Sequence, residues 1–356
     1  MSSDATHADD LSSTVSHSGR PAWVTRLVLL GVALVATYVI VRLVGRIDWA
    51  AVWDALSQLT WWQPIVLFAV VVVRQVLNAL PLKFYIRGVS AYRATINDLG
   101  AILMSVVAPP PSDLALRVAM FTSWGVSAAK GLAGTVMNTL TFYIVRFSAP
   151  AVGFVLLLAT GQPPGLRWLE LASIAVAVTI VVGIRLVLRS EALARTTGSR
   201  AGRLVRRVRR TVDPDAWAEA CLTFRSDISA TFQRGFPRSL LALAGMLATD
   251  VLVLLLCLRF VGVYPSDVDL ADVAIAYLFA YPLTLFPFSG IGVVDALILA
   301  SLVEAGGLEI EPAAVAALVV WRVFTVGVPV LMGVGAVGLW RRSVAGMAEP
   351  PGPAAP

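Results

Sequence analysis

Long apolar runs separated by short polar connections dominate the chain between residues 24 and 340. Six of these runs approach or exceed the roughly 20 residues that a helix needs to cross about 30 Å of hydrocarbon. We therefore predict six full membrane-spanning helices. They are Val24–Val44, Trp62–Leu82, Gly131–Leu158, Trp168–Leu188, Arg238–Val261 and Pro312–Trp340.

Two further apolar regions, Ile96–Gly125 and Asp272–Ala305, fit poorly as single spans because each is broken in the middle. The first break lies in "VAPPPSDLALR" and the second in "LFPFSGIGVVD". The arms on either side have about 13 to 15 residues, a length typical of re-entrant hairpins. Two short crossings would return to the same side, so charge counting leaves both alternatives open. The residues expected at the breaks are Pro109, Pro110, Pro111, Pro287, Gly290 and Gly292.

The composition gives the same fold class. Of the 356 residues, 58% are hydrophobic and 14% are charged, whereas about a quarter of a soluble domain is charged. We predict an all-α polytopic membrane protein with one membrane domain at residues 23–342. Residues 1–22 and 343–356, which are polar or rich in proline and alanine, are expected to be disordered tails.

The residue inventory argues against most catalytic chemistry. Both histidines, His7 and His17, precede the first predicted span, which leaves the membrane region without an imidazole base or metal ligand. The two cysteines, Cys221 and Cys257, form no CxxC motif. The "GVGAVG" at 333–338 follows no strand, so we interpret its glycines as helix-packing positions and expect no nucleotide or nucleic-acid partner. We predict no enzyme activity, no cofactor and no metal.

The positive charges predict the orientation. Arginines collect in 189–238, and the connections near residues 264–272 and 304–311 are acidic, so we place both termini in the cytoplasm. Arg42 and Arg46 then fall on the outer side, against the rule. Only Lys83 and Lys130 among the 28 basic residues are lysine, which suggests a GC-rich bacterial genome and hence a bacterial plasma membrane.

The basic segment at 189–237 also carries a candidate lipid contact. After Asp213-Pro214, the apolar residues at 217, 221, 224, 228 and 232 recur at helical spacing, which is typical of a helix on the membrane surface. Either the segment only sets topology and packs, or its arginines bind anionic lipids of the cytoplasmic leaflet. Those arginines are Arg203, Arg206, Arg207, Arg209 and Arg210.

The two halves of the membrane domain follow the same plan. A span with a charge twelve residues from its start, Arg74 or Asp250, precedes a broken hairpin and then a further span. We interpret residues 62–158 and 238–340 as an inverted repeat, an architecture common in secondary transporters. Bare backbone at membrane depth persists only inside protein or beside a wet cavity, so the breaks predict a shared polar cavity.

Charges within the spans must pair or be hydrated, since each costs about 2.5 to 3.5 kcal/mol at the bilayer centre. We expect Arg74 to pair with Asp250, and Asp113 or Asp295 to pair with Arg117 or Arg322. Asp113 and Arg117 would share a helix face at i and i+4. The alternative is that these groups only fix helix register, or that Arg117 and Arg146 reach the interface. The candidate substrate-binding residues are Arg74, Asn78, Asp113, Arg117, Asn138, Asp250, Asp295 and Arg322.

The motifs around the two breaks resemble a known family. "PPPSDLALRVAMFTSWG" with "GTVMNTLTFYIVRFSAP", and "PFSGIGVVDALIL" with "VVWRVFTVGVPVLMG", are similar to the flippase-like membrane region of lysylphosphatidylglycerol synthases over residues 25 to 340. Ser112-Asp113 stands where members usually carry Gly-Glu, and Asp295 where they have Glu, which indicates a divergent branch. The synthases' soluble aminoacyl-transferase domain has no counterpart here, so we expect no synthase activity.

Three functions remain open on the sequence. The resemblance and the charged repeat favour translocation or binding of an anionic phospholipid or polyprenyl-linked lipid, with the headgroup between the hairpins. An accessory subunit of an envelope lipid or glycan pathway would have a similar sequence. A polyprenyl-phosphate-dependent transferase is the third possibility, because Asp267, Asp269 and Asp272 could hold a divalent cation.

Overall fold

The computed structural model describes residues 57, 59–108, 111–160, 182 and 214–348. The predicted spans Val24–Val44 and Trp168–Leu188, the arginines at 203–210 and the prolines at 109 and 110 lie outside these residues. The described residues are helical and contain no strand, which confirms the all-α class.

We number the helices of the described residues α1 to α9 in chain order. They are α1 Gln63–Tyr85, α2 Ala91–Val107, α3 Ser112–Ser123, α4 Ala128–Ala159, α5 Pro214–Phe260, α6 Leu270–Ala280, α7 Val293–Gly306, α8 Glu311–Arg322 and α9 Val328–Ala348. Short 3-10 turns lie at Tyr281–Leu285, Pro287–Gly290 and Leu308–Ile310, and a π turn at Val323–Gly327 joins α8 to α9.

Four helical segments of the described residues are long and apolar enough to cross a membrane: Gln63–Tyr85, Ala128–Ala159, Arg234–Phe260 and Leu308–Val344. They coincide with the four predicted spans that fall within the described residues. The protein is therefore a helical membrane protein.

The first predicted hairpin consists of two short helices, as its pattern indicates. α2 begins after Ser90, whose hydroxyl accepts a hydrogen bond from the Arg93 backbone N–H at 3.2 Å. It ends at Val107, and α3 starts directly after Pro111. Proline suits that position because its missing N–H would have no helical partner there.

The second predicted hairpin is broken over a longer stretch. α6 passes into the 3-10 turn Tyr281–Leu285, and α7 begins only after Gly292. Gly290 has φ +67°, and a Cβ there would lie 2.6 Å from the Leu283 carbonyl oxygen. Only glycine fits that position without strain, so the sequence itself enforces this break.

α5 differs from the prediction. The sequence suggests a surface helix after Pro214 followed by a separate span, but residues 214 to 260 form one helix of 47 residues. At 1.5 Å per residue this helix is roughly 70 Å long, about twice the hydrocarbon thickness. Pro237 lies inside it without ending it. Residues 214 to 233 therefore form a helix that is continuous with the span, and their contact with the membrane surface stays a prediction.

The last span is also continuous beyond its predicted end. α9 runs to Ala348, so helix replaces the first six residues of the tail expected at 343–356. Within α9, a Cβ at Gly333 would lie 2.6 Å from the Leu99 carbonyl oxygen of α2. The close helix approach predicted for this glycine-containing stretch is therefore present at Gly333.

The long helices contact one another in reciprocal pairs. α1 packs against α5, α2 against α9, and α6 against α4. The spans that begin the two halves thus contact each other, and the short first arm of each half contacts the last long helix of the other. These contacts bring the charges of both halves into the interior.

Candidate functional site

Arg74 of α1 and Asp250 of α5 form a buried ion pair, as predicted from the sequence. The Arg74 Nε lies 2.9 Å from Oδ1 of Asp250, and Nη2 lies 3.3 Å from Oδ2. The side chains are 17% and 2% exposed. Nη1 of Arg74 also donates to Oε1 of Gln75. The pair is bidentate, the geometry that suits a planar guanidinium best.

Arg117 of α3 has a different partner from the one expected. Its Nη2 donates to Oδ1 of Asp98 at 2.7 Å, and its Nη1 donates to Oδ1 of Asn97 at 3.1 Å. The Asn97 amide returns a hydrogen bond to the Arg117 carbonyl at 3.1 Å. Asn78, one turn after Arg74 on α1, donates to Oδ2 of Asp98 at 2.6 Å. α1, α2 and α3 are thereby joined through one carboxylate.

Of the combinations that the sequence left open for Asp113 and Asp295, the pairing of Asp113 with Arg117 does not occur. Asp113 lies in the first turn of α3 and makes no ion pair with any described residue. A carboxylate there is stabilised by the N-terminal end of the helix dipole. Arg117 instead points from α3 to α2, across the first break.

Asp295 and Arg322 form the third ion pair of the described part of the chain. The Arg322 Nε lies 2.7 Å from Oδ1 of Asp295, and Nη2 lies 3.1 Å from Oδ2. The backbone N–H of Gly292 donates to the same carboxylate at 2.6 Å, and Arg322 also reaches the Ser289 carbonyl at 3.4 Å. The pair therefore connects α7, α8 and the backbone of the second break.

The π turn begins immediately after Arg322. Its cause lies in the sequence: Pro329 has no N–H for the Thr325 carbonyl, and its ring would clash with that carbonyl in an α-helix. The Thr325 hydroxyl donates back to the Trp321 carbonyl at 2.7 Å. π turns of this kind occur often at functional sites.

Aromatic side chains link the ion pairs across the interior. The Trp321 ring lies 4.5 Å from the Arg322 guanidinium and 6.0 Å from the Tyr277 ring. The ring centroids of Tyr277 and Tyr281 are 5.5 Å apart, and both tyrosines lie near the Arg74–Asp250 pair. Polar and aromatic groups therefore lie in two series. One leads from Asp295 at the second break to the region of the Arg74–Asp250 pair, and the other leads from Asn78, one turn further along α1, to Arg117 at the first break. We call these two series together the polar core.

Two residues of α4 lie apart from the hydrogen-bonded pairs. Asn138 was a candidate site residue, and its buried Oδ1 has no hydrogen-bond partner in the described part of the protein. Arg146, eight residues later, contacts the rings of Phe142, Tyr143 and Tyr281 at 4.7, 5.9 and 5.7 Å. The expectation that Arg146 only reaches the interface does not explain its contact with Tyr281, which belongs to the polar core.

The acidic residues offered as a cation site serve the backbone instead. Asp269 caps α6 by accepting from the Asp272 N–H at 2.8 Å, and Asp272 accepts from the Asp269 N–H at 3.1 Å. Asp267 accepts from the Tyr264 N–H at 2.8 Å. No group of three potential metal-binding side chains occurs among the described residues. The helix cap and the turn thus account for these three acids.

Sequence reasoning missed Asn97 and Asp98, as well as the aromatic members of the polar core, Tyr277, Tyr281 and Trp321. The predicted first arm begins at Ile96, so Asn97 and Asp98 are expected at the end of the arm near the membrane surface, where water can solvate a charge. The structure starts α2 at Ala91, so Asp98 is buried at 3% exposure. Adjacent Asn and Asp residues in an otherwise apolar arm were the available signal.

A family model described as the lysylphosphatidylglycerol synthase TM region matches residues 28–333. No curated protein matches the chain. The match covers most of the sequence and includes every member of the polar core.

Proposed function

The chain belongs to the lysylphosphatidylglycerol synthase TM-region family, and we propose that it is a flippase-like translocase of an anionic lipid or lipid-linked intermediate. The family points to a membrane-domain role in lipid handling. The finer proposal is that the headgroup crosses through the polar core while the acyl or prenyl chains stay in the bilayer. This process requires no covalent step.

The extent of the polar core is the observation that carries this proposal. Hydrocarbon excludes ionised groups, so a translocated headgroup needs an internal path of polar side chains. The core includes the Asp295–Arg322 pair, Trp321, Tyr277 and the Arg74–Asp250 pair, and one turn further along α1 Asn78 binds the Asp98–Arg117 pair. It has one end at each of the two helix breaks, where the regular helical hydrogen bonds are interrupted.

The reciprocal helix contacts support an inverted repeat with two re-entrant hairpins. Arg74 and Asp250, which lie at corresponding positions twelve residues into the first span of each half, carry opposite charges and form a direct ion pair. Two halves that hold complementary charges can rock against each other about that contact, the motion that inverted-repeat transporters use for alternating access.

The same proposal gives the location. Six full spans, two hairpins and cytoplasmic termini would place the protein in a bacterial plasma membrane, with the arginines at 203–210 facing the anionic inner leaflet. The lipid would then enter the protein from one leaflet and leave into the other.

A scrambling assay tests the proposal. The full chain is reconstituted into vesicles that contain a fluorescent phosphatidylglycerol, and dithionite reduces only the label in the outer leaflet. A translocase predicts loss of signal well beyond half, whereas vesicles without protein lose about half. Arg322→Met should slow the loss at least tenfold, and Arg341→Met, at an exposed position of α9, should not. The same assay is repeated with a labelled polyprenyl-phosphate. If folded wild-type protein leaves about half of the label protected with both lipids, translocation is refuted.

A second candidate function is that of an accessory membrane subunit. The pairing of Arg74, Arg117 and Arg322 with carboxylates favours it, because ion pairs whose charges are already balanced can have a purely structural role in helix packing. The two functions differ in one measurement. In a scaffold, Arg322→Met lowers stability and partner binding together, whereas in a translocase it abolishes transport in protein that remains folded.

A further inference from the structure

The end of α1 that carries basic residues is closed by a layer of buried apolar side chains. Leu82 and Ile86 of α1 are 0% and 2% exposed, and they form one cluster with Phe121 of α3 and Met137 of α4. Phe236 of α5 packs against the same cluster. We call these five side chains the apolar layer. It draws on helices from both halves of the membrane domain.

The apolar layer lies between the polar core and the basic end of the protein. Along α1, Asn78 belongs to the polar core, Ile86 belongs to the layer, and Arg87 is exposed. Along α3, Arg117 of the core precedes Phe121 of the layer by one turn. The basic end is the predicted cytoplasmic side. The direct way from the core to that side therefore passes through the layer.

The last turn of α1 follows a proline. Pro81 lies inside the helix, so it donates no hydrogen bond to the Leu77 carbonyl and weakens the helix there. The helix ends at Tyr85, and the chain turns at Gly88, where φ is +89°. We call residues 82–86 the terminal segment. Its regular hydrogen bonding is interrupted before it and after it, and a helix interrupted by proline bends readily at that point.

A hydrogen bond and two close helix contacts hold the terminal segment in place. The Thr141 hydroxyl donates to a carbonyl of its own helix at 2.9 Å, so its oxygen accepts the 2.7 Å hydrogen bond from the Tyr85 hydroxyl. A Cβ at Gly134 of α4 would overlap Cγ1 of Ile86, and a Cβ at Gly235 of α5 would lie 3.0 Å from the Tyr85 ring. Glycine at both positions lets the segment lie directly on α4 and α5.

On the basis of the proposed function, we propose that the terminal segment is the cytoplasmic gate of the translocation path. It is closed in this structure, it opens by moving about Pro81, and the Tyr85–Thr141 hydrogen bond is its latch. A hydrogen bond between neutral hydroxyls is about half as strong as one between charged groups. The latch can therefore break while the Arg74–Asp250 pair keeps the rest of α1 on α5.

A disulfide across the gate tests the proposal. A Cβ at Gly134 would lie 3.6 Å from the Cβ of Ile86, and disulfides need about 3.5 to 4.5 Å. The variant carries Ile86→Cys and Gly134→Cys, with Cys221→Ser and Cys257→Ala to remove the native thiols. Oxidation should slow scrambling of a fluorescent phosphatidylglycerol at least about tenfold, and reduction should restore it. Scrambling is followed by extraction of the lipid with albumin, since dithionite would reduce the disulfide. A fully oxidised protein that scrambles at the reduced rate overturns the gate.

A second test measures opening without transport. Asn78→Cys, in the background without native thiols, reports whether a membrane-impermeant thiol reagent reaches the polar core from the cytoplasmic side of inverted vesicles. Tyr85→Phe removes only the latch hydroxyl and should raise the labelling rate at least about threefold. Tyr92→Phe makes the same change at an exposed position of α2 and should leave the rate unchanged. Equal rates in the two variants overturn the gate. An equal rise with the reagent on the other side would show general loosening and would also overturn it.

The outcomes for the gate and for the proposed function can be separated. If the wild type scrambles lipid while neither the disulfide nor Tyr85→Phe has an effect, the gate is wrong and translocation stands. If Tyr85→Phe opens the core to the reagent but the wild type does not scramble, the terminal segment is a moving element and translocation is wrong.

Discussion

Removing one partner of the Arg74–Asp250 pair should destabilise the protein strongly. The Asp250 side chain is 2% exposed, and both of its oxygens accept from the Arg74 guanidinium, at 2.9 and 3.3 Å. Two unit charges about 4 Å apart at an effective dielectric constant near 20 attract each other by about 4 kcal/mol. Arg74 is partly exposed, which reduces this value. Loss of one partner from a buried pair costs about 3 to 5 kcal/mol, because the other charge stays buried.

We therefore expect Asp250→Asn to lower the free energy of unfolding by about 3 kcal/mol. Arg74→Met should have a similar effect. The double variant should lose about 2 kcal/mol less than the sum of the two, which is the coupling energy of the pair. Unfolding by SDS in mixed micelles, followed by circular dichroism, measures all four proteins.

Glu309→Gln is the control for loss of one acidic charge, since Glu309 is exposed in a 3-10 turn. Its effect should stay within about 0.5 kcal/mol. A loss below about 1 kcal/mol for Asp250→Asn, or additive single effects, would refute the assignment of a tightly coupled pair.

Three further predictions concern the breaks. Gly290→Ala should lower the free energy of unfolding by about 1 to 3 kcal/mol, because φ is +67° there. The control Gly335→Ala, at a helical position with no neighbouring atom in the way, should leave the free energy of unfolding unchanged. Equal stabilities of the two variants would contradict a turn that requires glycine at 290. Asp98→Asn should lower the stability of the protein far more than Asp113→Asn, since only Asp98 is paired with Arg117. Equal unfolding midpoints of the two variants would contradict the importance of the Asp98–Arg117 pair. Arg322→Met should slow lipid scrambling at least tenfold while the protein still elutes as a folded species; unchanged scrambling contradicts a role for the Asp295 pair in transport.

Much of the fold follows from simple rules applied to the sequence. Run length locates the spans at Trp62–Leu82 and Gly131–Leu158, and the proline and glycine clusters locate both breaks. The Arg74–Asp250 pair was predictable because both residues lie twelve positions into the first span of their repeat, and an unpaired charge at that depth is costly. The Asp295–Arg322 pair was one of the combinations that the same reasoning left open.

The failures have physical causes. The sequence offered only Asp113 and Asp295 as partners for Arg117, because helical periodicity describes contacts within one helix and gives none between helices. Its true partner, Asp98, depends on how α2 and α3 fold back across the break. The helix that contains the predicted span Arg238–Val261 begins earlier than expected, at Pro214, because charge and proline are tolerated where a helix leaves the membrane and local composition does not end α5.

The π turn after Arg322 determines which helices the continuous segment of α8 and α9 can contact. In a uniform α-helix, residues eleven apart differ by about 20° in direction, so Arg322 and Gly333 would face the same side. The π turn accommodates one additional residue and rotates everything after it by roughly a quarter of a revolution. The segment before the turn can thus bind the Asp295 carboxylate of α7, while the segment after it lies flat on α2 through Gly333. A single proline at 329 thereby rotates the faces of α9 relative to those of α8, so that one continuous helical segment contacts helices from both halves of the protein.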